Sequence, residues 1–379
     1  METLRPILVK EQVPSVHALI QKRSLSLPFS LRGLLSHRFS PPLHGFKFDN
    51  DFVNDFIPAL DRRTNGLCGG MSYTTLDYYF AFLPAPIQPF RPANGTVLHS
   101  YLYDRQVTSI ESNIDKWTEL GFNPGGARDT EFFNWGISAK PGERIDELRQ
   151  FLDNGTPCVL GLQGDESTGN HQVIAFGYQM GRYRGDLGAH IEDFYILICD
   201  PNYPGLARTL VPDVARRIYH YREGGSETWR TYFVDKNYHA QQPPAIGNAN
   251  FPMDNLVYEL VLKFFTGGDD LRGGNDNLDL VVNLTDGSNH VYRNINLRSR
   301  WVVNNDESAE VRLESPVRVE QLQSIVISDT FSGGPGGDNW NMDSLEIYVL
   351  GGGPLYREIK RVGSKRFTGD DKTLIVPLQ

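Results

Sequence analysis

From residue 255 to residue 350 the sequence alternates apolar and polar residues in one short segment after another, with Gly, Asn and Asp between the segments. The segments are LVYELVLKFF, LDLVVNLTD, HVYRNINL, AEVRLE, SIVISDTF and DSLEIYVL. A period of two residues is typical of antiparallel strands with one buried face, so the pattern predicts an all-β sandwich. The apolar segment TLIVPL near the C-terminus indicates one more strand, with no partner evident from the sequence.

The first two-thirds of the chain follow a different order, with helical patterns before strand patterns. Apolar residues recur at helical spacing just after Cys68, within 98–121 and within 141–153. Strand-like segments follow at 158–163, 171–180 and 193–200. We therefore expect an α+β fold. The expected divisions are an N-terminal arm (1–45), a domain with a central helix packed on an antiparallel sheet (46–235), a Pro-rich linker (236–254), the β-sandwich (255–350) and a C-terminal extension (351–379).

Charge and composition restrict the partners. The chain has 379 residues, 37 Lys and Arg, 46 Asp and Glu, and a net charge of −9, which argues against nucleic acid as the principal ligand. No apolar stretch is long enough for a transmembrane helix, and the N-terminus lacks the apolar core of a signal peptide. We expect a soluble protein, either cytoplasmic or exported by a non-classical route. The chain has only three cysteines, and this small, odd number argues against a disulfide framework.

The segment NGLCGGMSYTTLDYYF places Cys68 at the start of an amphipathic helix. The unpaired N–H groups and partial positive charge of a helix N-terminus favour a reactive thiolate. Gly69 and Gly70 lack side chains that would keep a substrate backbone from the sulfur, so both are candidate cleft residues. Cys158 and Cys199, within strand-like segments, are expected to be core residues.

Two later segments carry a candidate base and its partner. In GNHQVIAFGYQ, His171 begins an apolar strand after a Gly-Asn turn, and Asn170 is a further candidate cleft residue. In YILICDPNYPG, an apolar strand ends at Asp200. A carboxylate there would accept a hydrogen bond from the imidazole of His171 and orient it. Each residue alone has an ordinary structural explanation, as a core histidine or a turn aspartate, but their order along the chain favours catalysis.

The segments GLCGGM, NHQVIAFGY and ICDPNYPG resemble the papain-like superfamily, and bacterial C39-like peptidases within it, over residues 46–235. The resemblance implies Cys68 as nucleophile, His171 as base and Asp200 as orienting residue. It also implies a Gln about six residues before the cysteine as an oxyanion donor, but Arg62 stands at that position. Asn65 is the nearest amide and is the candidate oxyanion donor, with the shaping of an Asn-Gly turn as its alternative role.

The resemblance implies a cysteine peptidase or amidase that forms a thioester acyl-enzyme with a peptide or acyl-amide substrate and needs no cofactor for catalysis. Two alternatives stay open. The same three residues would serve an acyltransferase or transpeptidase. In the second alternative, the domain is a catalytically silent papain-like scaffold, and the sandwich carries the function by binding a lipid or protein partner.

The start TGGDDLRGGNDNLDLVVNL and the end GGPGGDNWNMDSLEIYV of the β region resemble PLAT/LH2-like sandwiches. That resemblance implies a lipid or protein partner for this region, or a role in binding substrate. Asp269, Asp270, Asp276 and Asp338 are candidate Ca²⁺ ligands, because Ca²⁺ prefers several carboxylates and carbonyls in one loop; ordinary Gly-Asp turns are the alternative. We expect Trp340 to be a core residue.

Overall fold

A computed structural model describes residues 38–57, 62–164, 169–244, 251–252, 254–274, 276–331, 339–351 and 356–379. The side chains of 53–57, 62–65 and 356 lie outside this description. The described chain combines helices with antiparallel sheets. Among its helices, none is long and apolar enough to cross a membrane.

Helices dominate the described residues between 38 and 152. They are α1 (Pro41–His44), α2 (Cys68–Phe80), α3 (Val97–Glu111), α4 (Ile114–Gly121), α5 (Asp129–Ile137) and α6 (Arg144–Leu152), with the hairpin β1 (Val53–Ile57) and β2 (Arg62–Asn65) before α2. The sequence indicated one helical stretch over 98–121, but the structure breaks it at Asn113. There the Asn113 side chain donates to Asp235 Oδ2 at 2.9 Å and to the Ser109 carbonyl at 3.1 Å.

Six antiparallel strands then form a closed barrel. They are β3 (Cys158–Gly164), β4 (His171–Gln179), β5 (Tyr195–Cys199), β6 (Ala207–Asp213), β7 (Ile218–Tyr221) and β8 (Thr228–Val234), and β8 pairs with β3 to close the ring. The sequence predicted only the first three strands. In the last three, Arg, Thr, Asp and His residues interrupt the apolar ones. Closure also depends on pairing between strands about 70 residues apart.

Helix α2 is central because it packs against both α3 and β4. Its buried Asp77 forms an ion pair with Arg105 of α3 at 2.7 Å, and both side chains are almost completely buried. Asp77 also accepts hydrogen bonds from the Tyr238 hydroxyl and the Gln241 N–H. The first part of the expected linker therefore packs on α2 and is not a free connector.

The last strands form two facing antiparallel sheets. One has the order β11 (Asn289–Tyr292), β10 (Leu278–Leu284), β13 (Leu322–Asp329), β17 (Thr373–Pro377). The other has the order β12 (Asn305–Val317), β9 (Val257–Thr266), β14 (Trp340–Gly351), β15 (Tyr356–Val362), and β16 (Lys365–Phe367) also pairs with β14. Apolar residues of both sheets share one core, as expected of a sandwich.

The C-terminal residues and Trp340 can be compared with the expectations from the sequence. Residues 351–379 were expected to be an extension, but β17 pairs with β13 and β16 pairs with β14, so these strands belong to the two sheets. Trp340 is fully buried, as expected, and its indole N–H donates to the Thr266 hydroxyl at 3.2 Å.

The sandwich contacts the segment between α2 and α3. Arg91 donates to the backbone carbonyl of Asp306 at 2.7 Å and forms an ion pair with its side chain. The Ala93 N–H donates to Glu310 at 3.4 Å. Carboxylates on β12 therefore lie where the two parts of the chain meet.

Candidate active site

Cys68 is the first residue of α2, and its thiol is partly exposed. Leu67 precedes it as the N-cap, and Gly66 adopts the left-handed region with φ +79°. The first N–H groups of a helix have no carbonyl acceptor within the helix, so the Cys68 N–H points out of the helix end. The Gly70 N–H is held by Gln106 Oε1 at 2.9 Å.

The structure brings the three predicted residues together. His171, at the first position of β4, bonds through Nε2 to Asp200 Oδ1 at 2.7 Å, and Asp200 directly follows β5. Cys68 and His171 line the same cleft, and the interaction between their side chains is one of the causes that raise the pKa of His171. Because Asp200 binds Nε2, Nδ1 is the imidazole nitrogen left available to the thiol. The order thiol, imidazole, carboxylate is the one that activates a nucleophile.

The electrostatics of this pair favour a charged imidazole. Burial lowers the pKa of His171, but the charges of Asp200 and Cys68 and the hydrogen bonds to them outweigh it, and its pKa lies well above the ordinary 6.5. Burial alone would raise the pKa of Asp200. The charge of His171 and the hydrogen bonds from His171, the Tyr221 hydroxyl and the Asn202 N–H have the larger effect, so the net shift of this pKa is downward. Both shifts favour a charged pair, with an imidazolium at His171 and a carboxylate at Asp200.

Sequence reasoning missed the residues that hold Asp200 and His171 in place. The Tyr221 hydroxyl donates to Asp200 Oδ2, and the Asn202 N–H donates to Asp200 Oδ1 at 2.8 Å. Trp229 lies nearly parallel to the imidazole of His171, with 6.3 Å between ring centroids. Tyr221 and Trp229 belong to β7 and β8, the strands that the sequence did not predict. The Pro-Asn-Tyr-Pro turn after Asp200 was the one available signal for Asn202.

Cys68 and His171 lie on the wall of an open cleft of about 710 Å³. Asn170, a predicted cleft residue, also lines it. The remaining described lining residues are Asp49, Asn50, Asp51, Gly66, Gly169, Asn202, Ser226, Glu227 and Trp229. A cleft of this volume is in the range of small-molecule and peptide sites.

Gly69 and Gly70 do not line the cleft, although both were predicted to. A Cβ on Gly70 would lie 2.0 Å from the Leu102 carbonyl oxygen of α3, and one on Gly69 would lie 2.5 Å from Gln172 Nε2. Both glycines are buried. They allow α2 to approach α3 and β4, and thereby fix the position of Cys68.

The candidate oxyanion donor Asn65 ends β2 and pairs with Val53. Its side chain lies outside the described residues. Another amide occupies the cleft instead: Asn50 Oδ1 accepts the Leu67 N–H at 2.5 Å, and Asn50 Nδ2 donates to Asn202 Oδ1 at 3.0 Å.

The other cysteines are core residues, as expected. Cys158 lies in β3 and Cys199 in β5, and both are buried. Burial raises the pKa of Cys158 strongly and that of Cys199 to about 12. Neither thiol is activated, which leaves Cys68 as the candidate nucleophile.

The predicted calcium ligands do not converge within the described residues. Asp269 pairs with Arg366 at 3.1 Å, and Asp270 pairs with Arg300 at 2.5 Å. Asp276 is buried, and Asp338 lies outside the described residues. No group of three or more His, Cys, Asp or Glu side chains suited to a metal occurs in the part of the chain that the structure describes.

Comparison with known proteins identifies no relative at the level of sequence. No family model matches the chain, and no curated protein matches it. Two solved structures overlap part of it: the alpha-toxin of Clostridium perfringens from an avian strain (16% identity) and the alpha toxin of Clostridium absonum (15% identity). The overlaps cover 31% and 32% of this chain and 32% and 34% of the toxin chains, each with a TM-score of 0.22. The chain thus spans about a third of each toxin, and an overlap at this TM-score identifies neither a family nor an activity.

Proposed function

We propose that this protein is a cysteine hydrolase with a papain-like catalytic domain, acting on a peptide or amide bond. The observation that carries the proposal is that Cys68 and His171 line one open cleft and that His171 bonds to the buried Asp200 at 2.7 Å. The helix start, the raised pKa of His171 and the partly exposed thiol each support an activated nucleophile.

The reaction follows from the positions of these groups. The Cys68 thiolate attacks the carbonyl carbon, and a charged His171 gives its Nδ1 proton to the leaving amine, which departs and leaves a thioester on the sulfur. His171, now neutral, takes a proton from water as it attacks the thioester and releases the acid. Asp200 keeps the imidazole oriented throughout and stabilises its charged form.

A mixed peptide library tests the proposal directly. We expect wild-type protein to produce new peptide termini, and Cys68→Ala to produce none. Cys158→Ala is the matched control, because it removes a buried thiol outside the cleft. Cleavage in ¹⁸O-labelled water separates hydrolysis from acyl transfer, because only hydrolysis places the label in the new carboxylate. A library left intact by the wild type, with and without added amine acceptors, would overturn the proposal.

A further inference from the structure

The family pattern places an oxyanion donor six residues before the nucleophile, where this chain has Arg62. A nucleophilic attack on a carbonyl still puts negative charge on the oxygen, and a preorganised donor at that oxygen is usually a large part of catalysis. The cleft around Cys68 therefore needs an N–H donor for that oxygen. Asn50 lies beside it, in the segment before the hairpin β1–β2.

The orientation of the Asn50 amide follows from its contacts. Its Oδ1 accepts the Leu67 N–H at 2.5 Å, and only the carbonyl oxygen of an amide can accept. The other end must then be the Nδ2 group, which carries two hydrogens. The bond to Asn202 Oδ1 at 3.0 Å uses one of them. The second hydrogen remains to serve the cleft that Asn50, Cys68 and His171 share.

The backbone before Cys68 is shaped around this amide. Gly66 has φ +79°, and a Cβ there would lie 2.7 Å from Asn50 Nδ2 and displace it. The Leu67 N–H held by Asn50 belongs to the residue directly before Cys68. One amide thus fixes the start of α2 with its oxygen and belongs to the same cleft as the thiol.

We propose that Asn50 Nδ2 and the Cys68 N–H together form the oxyanion hole of this site. The inference rests on the proposed function. In the step it assists, the Cys68 sulfur bonds to the carbonyl carbon while the C=O π pair moves onto the oxygen. The two N–H groups bind that oxygen until the pair re-forms the carbonyl and expels the leaving group.

Two reagents separate this role from a structural one. p-Nitrophenyl acetate acylates a thiolate through a tetrahedral oxyanion and releases p-nitrophenolate, whereas iodoacetamide alkylates it by displacement of iodide without one. We expect Asn50→Ala to lower the Cys68 acylation rate by about 10²–10³-fold, the usual effect of losing one oxyanion donor. The alkylation rate, as the reference reaction, should keep its wild-type value.

Asn50→Asp is the second variant, because its carboxylate still accepts the Leu67 N–H but has no donor for the oxygen. It should lose acylation as Asn50→Ala does while keeping the wild-type thermal midpoint. Asn154→Ala, which removes an exposed amide bonded only locally to the Gln150 carbonyl, is the matched control and should react as wild type.

Acylation at the wild-type rate in both Asn50 variants would overturn the inference and leave the proposed function standing. Equal slowing of acylation and alkylation would overturn it too, since Asn50 would then act only by holding the start of α2. A wild-type Cys68 unreactive toward both reagents would overturn the proposed function together with the inference.

Discussion

Tyr221 donates its hydroxyl hydrogen to Asp200 Oδ2, on the carboxylate whose other oxygen binds His171. Tyr221 is buried, and so is Asp200. The hydrogen bond therefore stabilises a carboxylate that is shielded from water. It links barrel strand β7 to the candidate catalytic residues.

Tyr221→Phe tests this link. Loss of the hydroxyl should raise the pKa of Asp200 and remove one of the contacts that hold its carboxylate in position to orient His171. We expect slower alkylation of Cys68 at neutral pH and a loss of stability of about 1.5–3 kcal/mol, typical of a hydrogen bond to a charged group. Tyr195→Phe is the control, because its hydroxyl bonds to Gln179 at the surface. Equal effects of the two substitutions would contradict a role for Tyr221 at the site.

Gly70→Ala tests the packing of α2. The added Cβ would lie 2.0 Å from a backbone oxygen of Leu102, which cannot move without shifting α3. Overpacking of this kind costs typically about 1–3 kcal/mol, so the midpoint of thermal unfolding should fall. Gly121→Ala, where a Cβ meets nothing within 4 Å, should leave the midpoint in place. An unchanged midpoint for Gly70→Ala would contradict the packing described here.

The contact between β12 and the segment before α3 predicts a pH dependence. Part of Glu307 reaches the surface, but desolvation raises the pKa of its carboxyl group. The charge of Arg91 lowers this pKa by less, and the net change is from 4.5 to about 8. Between these two values the folded state holds a proton that the unfolded state has lost, so stability falls as the pH rises. This contribution is complete below pH 4.5 and is lost as the pH passes through 8.

Glu307→Gln keeps the neutral form at every pH. We expect its thermal midpoint relative to that of the wild type to be higher at pH 8 than at pH 5. Glu314→Gln, on the same strand with an exposed side chain, is the control and should show no such difference. A parallel pH dependence in Glu307→Gln and the wild type would contradict a raised pKa at Glu307.

Calcium is the remaining prediction from the sequence. A ligand that binds only the folded state must raise its thermal midpoint. Because Asp269 and Asp270 each pair with an arginine, we expect the same midpoint in Ca²⁺ as in chelator. A rise with Ca²⁺ that is lost on Asp276→Asn would contradict this expectation and support a metal site in the sandwich.

Local patterns in the sequence predicted much of the site. Cys68 at a helix start, His171 at the start of a strand and Asp200 at the end of one follow from periodicity and turn residues over about ten positions each. The sandwich strands were predictable for the same reason. Their alternation is strong, and Gly, Asn and Asp mark their ends.

Features that depend on distant contacts were not predictable from the sequence. Tyr221 and Trp229 reach His171 and Asp200 only because β7 and β8 close the barrel. The sequence assigned Gly69 and Gly70 to the cleft. It could not show that they face α3 and β4, because the partner of a helix face depends on tertiary packing. Asn50 lies 17 residues before Leu67, and its place in the cleft depends on the left-handed turn at Gly66.

The most direct test of the account is the rate of Cys68 alkylation by iodoacetamide as a function of pH, followed by intact mass in the wild type and in His171→Ala. We predict one fast addition in the wild type, with a rate that persists well below pH 8.5, the pKa of an ordinary cysteine thiol. Cys68→Ala should abolish it, and His171→Ala should return the profile to that of an ordinary thiol. Slow labelling with an ordinary thiol profile, unchanged by His171→Ala, would contradict an activated nucleophile at Cys68.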